Sequence, residues 1–192
     1  MQKPQLILAS TSQARKTLLE RFKIPFICRD PNVDETTLDQ ETPDKLVLRL
    51  AKEKAFTVRD ENALVIGADQ VGIIDNCILG KPLTHENAVK QLLLLSGKTM
   101  HFLIGLCVLD TRNQEYEVAL ERVDVVMRTF TRETIERYLQ KESVLNCAGS
   151  LKVEGLGIAL LDSIQCDDYT ALIGLPLMRL SKMLENRGFY IV

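Results

Sequence analysis

The sequence predicts an α/β fold, a mixed β-sheet flanked by helices, from three observations. Strand-like apolar runs alternate with amphipathic segments along most of the 192 residues. A short hairpin follows one of these runs, and two long strand-like segments, 100–110 and 116–128, succeed each other across a polar turn. Alternation with helices favours parallel strands and hairpins join antiparallel ones, so both kinds of pairing are expected in one sheet.

Short apolar runs bounded by turn residues predict the strands. The run 63–74 is interrupted only by Asp69-Gln70, and Asp75-Asn76 marks the turn into the run that follows. In chain order, strands are expected at 6–9, 25–28, 63–74, 77–79, 100–110, 116–128 and 189–192.

Capping residues predict where the helices begin and end. Thr42 precedes Pro43, and a capping residue followed by proline is typical of a helix start. Thr84 and Thr131 are further N-caps, and Gly97 stands where a helix commonly ends. In chain order, helices are expected at 12–23, 43–60, 84–96, 131–141 and 176–188.

Bulk composition excludes several classes of protein. Hydrophobic residues make up 46% of the chain, which is enough for a core and excludes a disordered chain. The 24 basic and 26 acidic residues leave a formal charge of −2, whereas proteins that bind nucleic-acid polymers are usually strongly basic. No linker, repeat or low-complexity tract divides the sequence, so residues 1–192 are expected to form a single domain.

The sequence also bears on cellular location. Its apolar runs are far shorter than the ~20 residues that a membrane-spanning helix needs, and its first residues lack the pattern of a signal peptide. The five cysteines are odd in number and include no CxxC pair, so they indicate neither a disulfide framework nor a zinc knuckle. We therefore expect a cytoplasmic protein without membrane contact.

Two charged residues stand within otherwise apolar patterns. On the second helix, Lys54 falls in the middle of the stripe that contains Val47 and Val58. Such a lysine either extends its ammonium to the surface or meets an anion inside. Asp69 lies within the apolar run 63–74 and either caps a turn at a strand end or is a buried carboxylate, a type of group common at functional sites.

Further candidate residues lie in predicted loops. Ser10 and Ser12, with Arg15 one turn into the first helix, can form an anion site at a helix N-terminus, although plain capping by Ser12 is the alternative. Lys81 stands in a compact Gly-Lys-Pro turn after a strand, where a simple surface loop is equally consistent. Glu35 belongs to an acidic pair that either binds a metal or is merely solvated.

Taken together, these stretches resemble the Maf family of nucleoside triphosphate pyrophosphatases. Several short motifs in the right order are far more specific than any one of them, and they span almost the whole chain. The DQV after the long strand and the later KxEG motif are most similar to the branch that acts on 7-methyl-GTP. The matching segments are LILASTSQARKTLLE, VDE, LAKEKA, IGADQV, GKPLT, CAGSLKVEGLGI and IGLPLMRL.

The resemblance implies a fold related to the inosine triphosphate pyrophosphatases: a curved mixed sheet with two lobes around a nucleotide cleft, usually as a homodimer. It implies hydrolysis of a nucleoside triphosphate to the monophosphate and pyrophosphate with a divalent metal, Mg²⁺ or Mn²⁺. Asp69 would accept the proton, Glu35, Lys54 and Lys81 would be further catalytic residues, and Glu35 and Asp69 would hold the metal. The implied phosphate contacts are Ser10, Ser12 and Arg15, and the positions that tune base choice are Ala14, Gln70 and Glu154.

Base choice is where the chain departs from the family pattern. Glu154 can accept hydrogen bonds from the donor edge of guanine, and its charge suits a cationic 7-methylguanine ring. The 7-methyl-GTP branch tends to carry tryptophan at position 14, whereas Ala14 offers no stacking platform. The branch that acts on dTTP and UTP tends to carry arginine there, and it is the first alternative.

Two further alternatives come from other classes of protein. A non-enzymatic regulator of septum formation, the role after which the family was first named, needs neither a lysine in an apolar stripe nor an acid in an apolar strand. An RNA-binding module conflicts with the charge of −2 and with only four Tyr and six Phe. House-cleaning hydrolysis of 7-methyl-GTP, or of a similar modified nucleotide, is therefore the expected function.

Overall fold

A computed structural model describes residues 3–58, 60–75 and 77–192. Six of the strands in these ranges lie close to predicted ones, whereas the strand Leu161–Gln165 was not predicted. The predicted hairpin turn begins at Asp75, whose φ is +48°, and its second residue, Asn76, lies outside the described residues. The strands are β1 (Gln5–Ala9), β2 (Ile27–Arg29), β3 (Ala63–Ile74), β4 (Cys77–Leu79), β5 (Thr99–Asp110), β6 (Glu115–Met127) and β7 (Leu161–Gln165).

Four helices begin directly after the predicted capping residues Ser12, Thr42, Thr84 and Thr131, whereas the helix that begins at Tyr169 was not predicted. The hydroxyls of Ser12, Thr84 and Thr131 each accept the backbone N–H of the residue three positions later. Within the described ranges, none of the helices combines the length and the apolar character that crossing a membrane requires. The α-helices are α1 (Gln13–Glu20), α2 (Pro43–Phe56), α3 (His85–Leu95), α4 (Arg132–Lys141), α5 (Tyr169–Ile173) and α6 (Leu177–Glu185), and 3₁₀ helices lie at Ala148–Ser150 and Leu156–Leu160.

The described strands form one mixed sheet, as the sequence predicts. Their order is β2-β1-β3-β5-β6-β7, and β4 pairs with β3. β1 runs parallel to both of its neighbours, so that Ile7 stands opposite Ile27 on one side and Val65 on the other. β4 is antiparallel to β3, and β7 is antiparallel to β6. Helices joined to parallel strands and hairpin-type pairs therefore share one sheet, which confirms the α/β fold class.

The described chain divides into two compact units, each with residues from β3, β5 and β6. The first comprises Met1–Gln70, Ile104–Glu121 and Asp168–Val192, and the second comprises Val71–Leu103 and Arg122–Asp167.

In the first unit, helices cover both faces of the strands. Alternate residues of β1, β3 and β5 point to opposite faces, and one set packs against α1 and α6 while the other packs against α2. Because both faces are buried, these strands form nearly continuous apolar runs in the sequence. The cluster on the α2 side includes Ile7, Val65, Cys107, Ala51 and Ala55.

In the second unit, Tyr138 of α4 ties the helix to the irregular segment that follows it. The Tyr138 hydroxyl donates to the Ser150 carbonyl over 3.3 Å and accepts the Lys152 N–H over 3.1 Å. Gly149 has a φ of +64°, and a Cβ at that position would lie only 2.6 Å from Met100 Cε. This segment therefore depends on a glycine for both its backbone angle and its close packing.

The predicted C-terminal strand and the predicted ends of two helices are wrong. Residues 189–192 form no strand, because Gly188 turns the chain with a φ of +70° and Phe189 is buried in the core of the first unit instead. α1 ends at Glu20, since Lys23 has a φ of +53° that a helix does not allow. α2 ends at Phe56, where the Thr57 hydroxyl donates to a backbone carbonyl of the last turn.

Candidate active site

Lys54 lies on the face of α2 that packs against the sheet. The residue is only 4% exposed, and its neighbours on that face, Leu50, Ala51 and Ala55, are buried apolar residues. The backbone of Gly67 in β3 lies directly against the helix, because a Cβ there would be 2.1 Å from the Ala51 carbonyl oxygen. A glycine at this position therefore lets α2 approach β3 closely enough for Lys54 to reach the strand.

The Lys54 ammonium is held between two carboxylates. Its Nζ donates to Asp69 Oδ1 over 2.6 Å, and it lies 2.6 Å from Glu35 Oε1. Asp69 is 7% exposed and lies in the interior of β3, away from both ends of the strand. The structure therefore excludes both simpler alternatives, a lysine that extends to the surface and an aspartate that caps a turn. Glu35 is half-exposed but paired with the lysine rather than merely solvated.

The pKa of the Asp69 carboxyl lies above its ordinary value. Burial disfavours the charged form and is the largest cause, while the positive charges of Lys54 and Arg15 act in the opposite direction. The nearby Glu35 carboxylate adds to the upward shift of the pKa. A carboxylate whose pKa is raised is a better proton acceptor than one at the protein surface, so Asp69 is suited to act as a general base.

Ser10, Ser12 and Arg15 lie together at the junction of β1 and α1. The Ser12 hydroxyl accepts the Arg15 N–H over 3.4 Å, so it does cap the helix, and the buried Ser10 hydroxyl accepts the Ser12 N–H over 3.1 Å. The Arg15 Nε donates to the Gly174 carbonyl over 2.9 Å. Burial lowers the pKa of the Arg15 guanidinium, and the charges of Asp69 and Glu35 partly offset this effect. The guanidinium still remains positively charged at neutral pH.

Gln70 and Arg15 are both held by backbone carbonyls at the C-terminal end of α5. The Gln70 side-chain amide donates to the Leu172 carbonyl over 3.0 Å. A Cβ on Gly174, which has a φ of +114°, would lie 3.0 Å from Gln70 Oε1 and 3.4 Å from Arg15 Nε. Ala14 is half-buried in α1 beside Arg15. A predicted base-choice residue and a predicted phosphate contact therefore meet at one glycine.

Two buried polar residues at the start of α5, Asp168 and Thr170, were not predicted from the sequence. Asp168 and Thr170 are 6% and 4% exposed. Asp168 accepts the Thr170 N–H over 2.9 Å and the Met178 N–H over 2.7 Å, which joins α5 to α6. A five-residue helix shows too little periodicity to be predicted, but an aspartate N-cap followed by a Gly-Leu-Pro turn was a usable signal.

Lys81 and Glu154 belong to the second unit. Both are exposed, Lys81 in the turn between β4 and α3 and Glu154 in a turn before the second 3₁₀ helix. Burial is the main reason that the pKa of the Cys147 thiol is raised, while Glu154 raises it further and Lys81 lowers it. Both side chains therefore lie close enough to Cys147 to influence its charge. The Gly149 N–H also donates to the Gly80 carbonyl over 3.3 Å, which connects the turn of Lys81 to the first 3₁₀ helix.

Glu35 and Asp69 are the residues of this site that could hold a metal. They are two carboxylates on one ammonium, and the described part of the chain has no group of three or more His, Cys, Asp or Glu residues arranged for a metal. Two carboxylates fit an ion such as Mg²⁺, which is commonly bound by one or two carboxylates together with substrate phosphates and water. The donor set thus suits a metal that arrives with a phosphate-bearing ligand.

Known proteins match the chain along nearly its whole length. The sequence model of one family, described as Maf-like protein, matches residues 5–187. The 7-methyl-GTP pyrophosphatase of Nitrosococcus oceani is 48% identical, over 98% of this chain and 96% of that protein. The protein of the same name from Vibrio cholerae is 46% identical over 100% of both chains, and that from Methylobacillus flagellatus is 47% identical over 98% and 100%.

A solved structure supports the same fold. The Ham1 protein of Staphylococcus aureus matches 95% of this chain and 99% of its own, with a TM-score of 0.52 and 12% sequence identity. At that identity the likeness concerns the fold alone. The family match and the full-length relatives, in contrast, share the sequence itself, and the chain belongs to the Maf-like protein family.

Proposed function

We propose that this chain is a nucleoside triphosphate pyrophosphatase that hydrolyses 7-methyl-GTP to the nucleoside monophosphate and pyrophosphate. The relatives with that name match it from end to end at 46–48% identity. The structural observation that supports the proposal most is the buried Lys54 ammonium between Asp69 and Glu35, with the charge of Arg15 nearby. Hydrolysis of a polyphosphate requires positive charges beside a proton acceptor, and this site offers both.

In this mechanism Asp69 activates the attacking water. The water oxygen bonds to the α-phosphorus, its proton passes to Asp69, and the oxygen that bridges the α- and β-phosphates leaves with pyrophosphate. Lys54 donates to Oδ1 of Asp69, which fixes the carboxylate and leaves Oδ2 to receive the proton. The raised pKa of Asp69 brings its basicity closer to what proton transfer at neutral pH requires.

The phosphates are bound by cations and by hydroxyl groups of the loop before α1. The Ser10 and Ser12 hydroxyls each accept a backbone N–H, so their own hydrogens can be donated to phosphate oxygens. The Nε of Arg15 is anchored to the Gly174 carbonyl, and its two terminal NH₂ groups would donate hydrogen bonds to a phosphate. Lys54 and Lys81 would stabilise the charge that develops on the leaving pyrophosphate.

We also propose that Mg²⁺ or Mn²⁺ takes part, held by Glu35 and Asp69. When bound, such an ion would polarise the phosphoryl oxygens and lower the pKa of the attacking water. Without the ion, the Lys54 ammonium would hold the two carboxylates in position.

Base choice is proposed to rest on Gln70, Glu154 and position 14. Glu154 would accept from the N–H groups of guanine, and Gln70, steadied by the Leu172 carbonyl, would contact the base with its remaining polar atoms. Replacing Ala14 by tryptophan adds a stacking surface, and we expect it to lower the KM for 7-methyl-GTP more than the KM for GTP. Unchanged activity on 7-methyl-GTP would show that position 14 is not the stacking platform.

The cellular setting is proposed on simpler grounds. We propose a cytoplasmic location, which is supported by the absence of disulfides at Cys28, Cys77, Cys107 and Cys147. We propose that residues 1–192 act as one Maf-like domain, since the family match spans 5–187. A homodimer is supported by the exposed apolar side chains of Tyr116, Val118 and Leu120, which alternate along one face of β6.

Pyrophosphate release from a panel of triphosphates tests the proposed function. We expect 7-methyl-GTP to be hydrolysed faster than GTP, dTTP or UTP, and hydrolysis to depend on Mg²⁺ or Mn²⁺. Faster turnover of dTTP or UTP would contradict the choice of substrate but not the reaction. Absence of pyrophosphate release from every triphosphate, with either metal, would contradict the enzyme itself and favour a non-catalytic role.

A further inference from the structure

Glu35 reaches the candidate site from a segment that has no regular structure of its own. Residues 30–42, all of which the structure describes, connect β2 with α2 without a helix or strand. The Glu35 side chain is 54% exposed, yet its carboxylate lies 2.6 Å from Lys54. Ordering an exposed loop costs conformational entropy, so contacts elsewhere in the segment must hold Glu35 in place.

Arg49 of α2 contacts this segment at two points. Its Nε and Nη2 atoms donate to the two carboxylate oxygens of Glu41 over 2.7 and 2.8 Å. Nη2 also donates over 3.1 Å to the carbonyl of Thr36, the residue directly after Glu35. The remaining terminal nitrogen, Nη1, donates to Glu53 on the same helix over 3.0 Å. One guanidinium therefore joins the loop to the helix that carries Lys54.

Glu41 is a strong partner for Arg49. Its side chain is 7% exposed, and its Oε2 also accepts the Leu38 N–H over 3.1 Å. The hydrogen bond from Arg49 is the main reason that the pKa of Glu41 falls to about 2, so this carboxylate is charged at any ordinary pH. On the other side of Glu35, Asp34 accepts the Thr36 N–H over 2.9 Å and forms a tight turn.

We propose that Arg49 is a positioning residue that, through Glu41 and Thr36, holds the segment presenting Glu35 to Lys54. Arg49 and Lys54 lie five positions apart, which is about 140° around a helix, so α2 directs one cation to the sheet and the other to the loop. This inference rests on the proposed function, because Glu35 acts in the site only if the site hydrolyses a nucleotide.

Two glutamine substitutions test the inference, one as the test and the other as its matched control. Glu41→Gln and Glu53→Gln each remove one carboxylate that Arg49 contacts, but only Glu41 belongs to the loop. We expect Glu41→Gln to speed the hydrogen exchange of the 33–38 amides in the substrate-free protein. We also expect it to lower kcat about tenfold, with a much smaller change in KM because Arg15 and Lys81 are untouched. Glu53→Gln should match the wild type in both measurements.

Arg49→Lys is the second variant and serves if Glu41→Gln does not fold. A lysine keeps the charge but cannot contact both Glu41 oxygens and the Thr36 carbonyl together, so the same faster exchange and lower kcat are expected. Equal exchange and equal kcat in Glu41→Gln and Glu53→Gln would overturn the positioning role. A loosened loop in a protein whose wild type releases no pyrophosphate would instead leave that role standing and contradict the proposed function alone.

Discussion

Two lysine–aspartate pairs of this protein have similar bond lengths and opposite surroundings. In the first unit, Lys54 lies 2.6 Å from Asp69, and the two side chains are 6% and 10% exposed. In the second unit, Lys98 lies 2.8 Å from Asp75, and the side chains are 43% and 67% exposed. The distances alone do not separate the two pairs, whereas their exposure to water does.

The difference shows which pair the protein keeps at a cost. An exposed pair is screened by water and adds little to stability. A buried pair must overcome the loss of hydration of both charges, so apolar residues in its place are often no less stable. Lys54 and Asp69 lie in the packed interface of α2 and β3, and this burial is why we propose that they take part in the chemistry. Matched substitutions in the buried and the exposed pair test the contrast.

The first prediction concerns activity. Asp69→Asn keeps the shape of the side chain and a hydrogen bond to Lys54 but removes the proton acceptor, so we expect kcat for pyrophosphate release to fall about 10³-fold. Asp75→Asn makes the same chemical change in the exposed pair and should leave kcat unchanged. Equal rates in wild type and Asp69→Asn would show that another group accepts the proton.

The second prediction concerns stability. Lys54→Met leaves Asp69 buried without its nearest cation, and we expect the free energy of unfolding in urea to fall by about 3 kcal/mol. Lys98→Met should change it by less than about 0.5 kcal/mol. Added salt should reduce only the Lys98 effect, because screening acts mainly on exposed charges. Similar losses for both variants would contradict the distinction drawn between the pairs.

The third prediction extends the contrast to acid stability. Arg49 lowers the pKa of Glu41 from 4.5 to about 2. In the second unit, Lys90 lowers the pKa of Glu86 in the same direction, but the Glu86 side chain is 78% exposed. Because unfolded Glu41 binds a proton at a higher pH than folded Glu41, its contribution to stability is complete above pH 4.5 and is lost as the pH falls towards 2.

Substitution of either glutamate separates these contributions. We expect Glu41→Gln to flatten the decline of the unfolding free energy between pH 4.5 and about 2, where the carboxylate titrates. Glu86→Gln should flatten it less, because the ion pair of Glu86 with Lys90 is exposed to water. Denaturant unfolding at a series of acidic pH values measures both. A larger effect of Glu86→Gln than of Glu41→Gln would show that the lower exposure of Glu41 does not strengthen its ion pair.

Much of the fold could be predicted from local sequence. Thr84 and Thr131 cap helices where expected, and the apolar run 63–74 is β3, because caps and periodicity are short-range properties of the chain. The strand expected at 189–192 was wrong for a tertiary reason. Phe189 is drawn into the core beside α6, and an apolar pattern by itself does not tell a strand from a packed tail.

The candidate site was only partly predictable. Lys54 and Asp69 were conspicuous because each breaks an apolar pattern, which needs no knowledge of the fold. The anchors of Arg15 and Gln70 were not, since both are backbone carbonyls at the C-terminal end of α5, and Arg15 lies 159 positions from Gly174. Every residue has a backbone carbonyl, so the identity of Leu172 or Gly174 in the sequence does not reveal that its carbonyl is an anchor.

The sequence by itself determined which charges are out of place and to which family the chain is similar. Only the tertiary structure decided that Lys54 meets Asp69 and Glu35, and that Arg49 holds the loop beside them. The physical reason is distance along the chain. Local patterns tell whether a residue will be buried, but its partner depends on how closely α2 packs on β3, which the missing side chain of Gly67 permits.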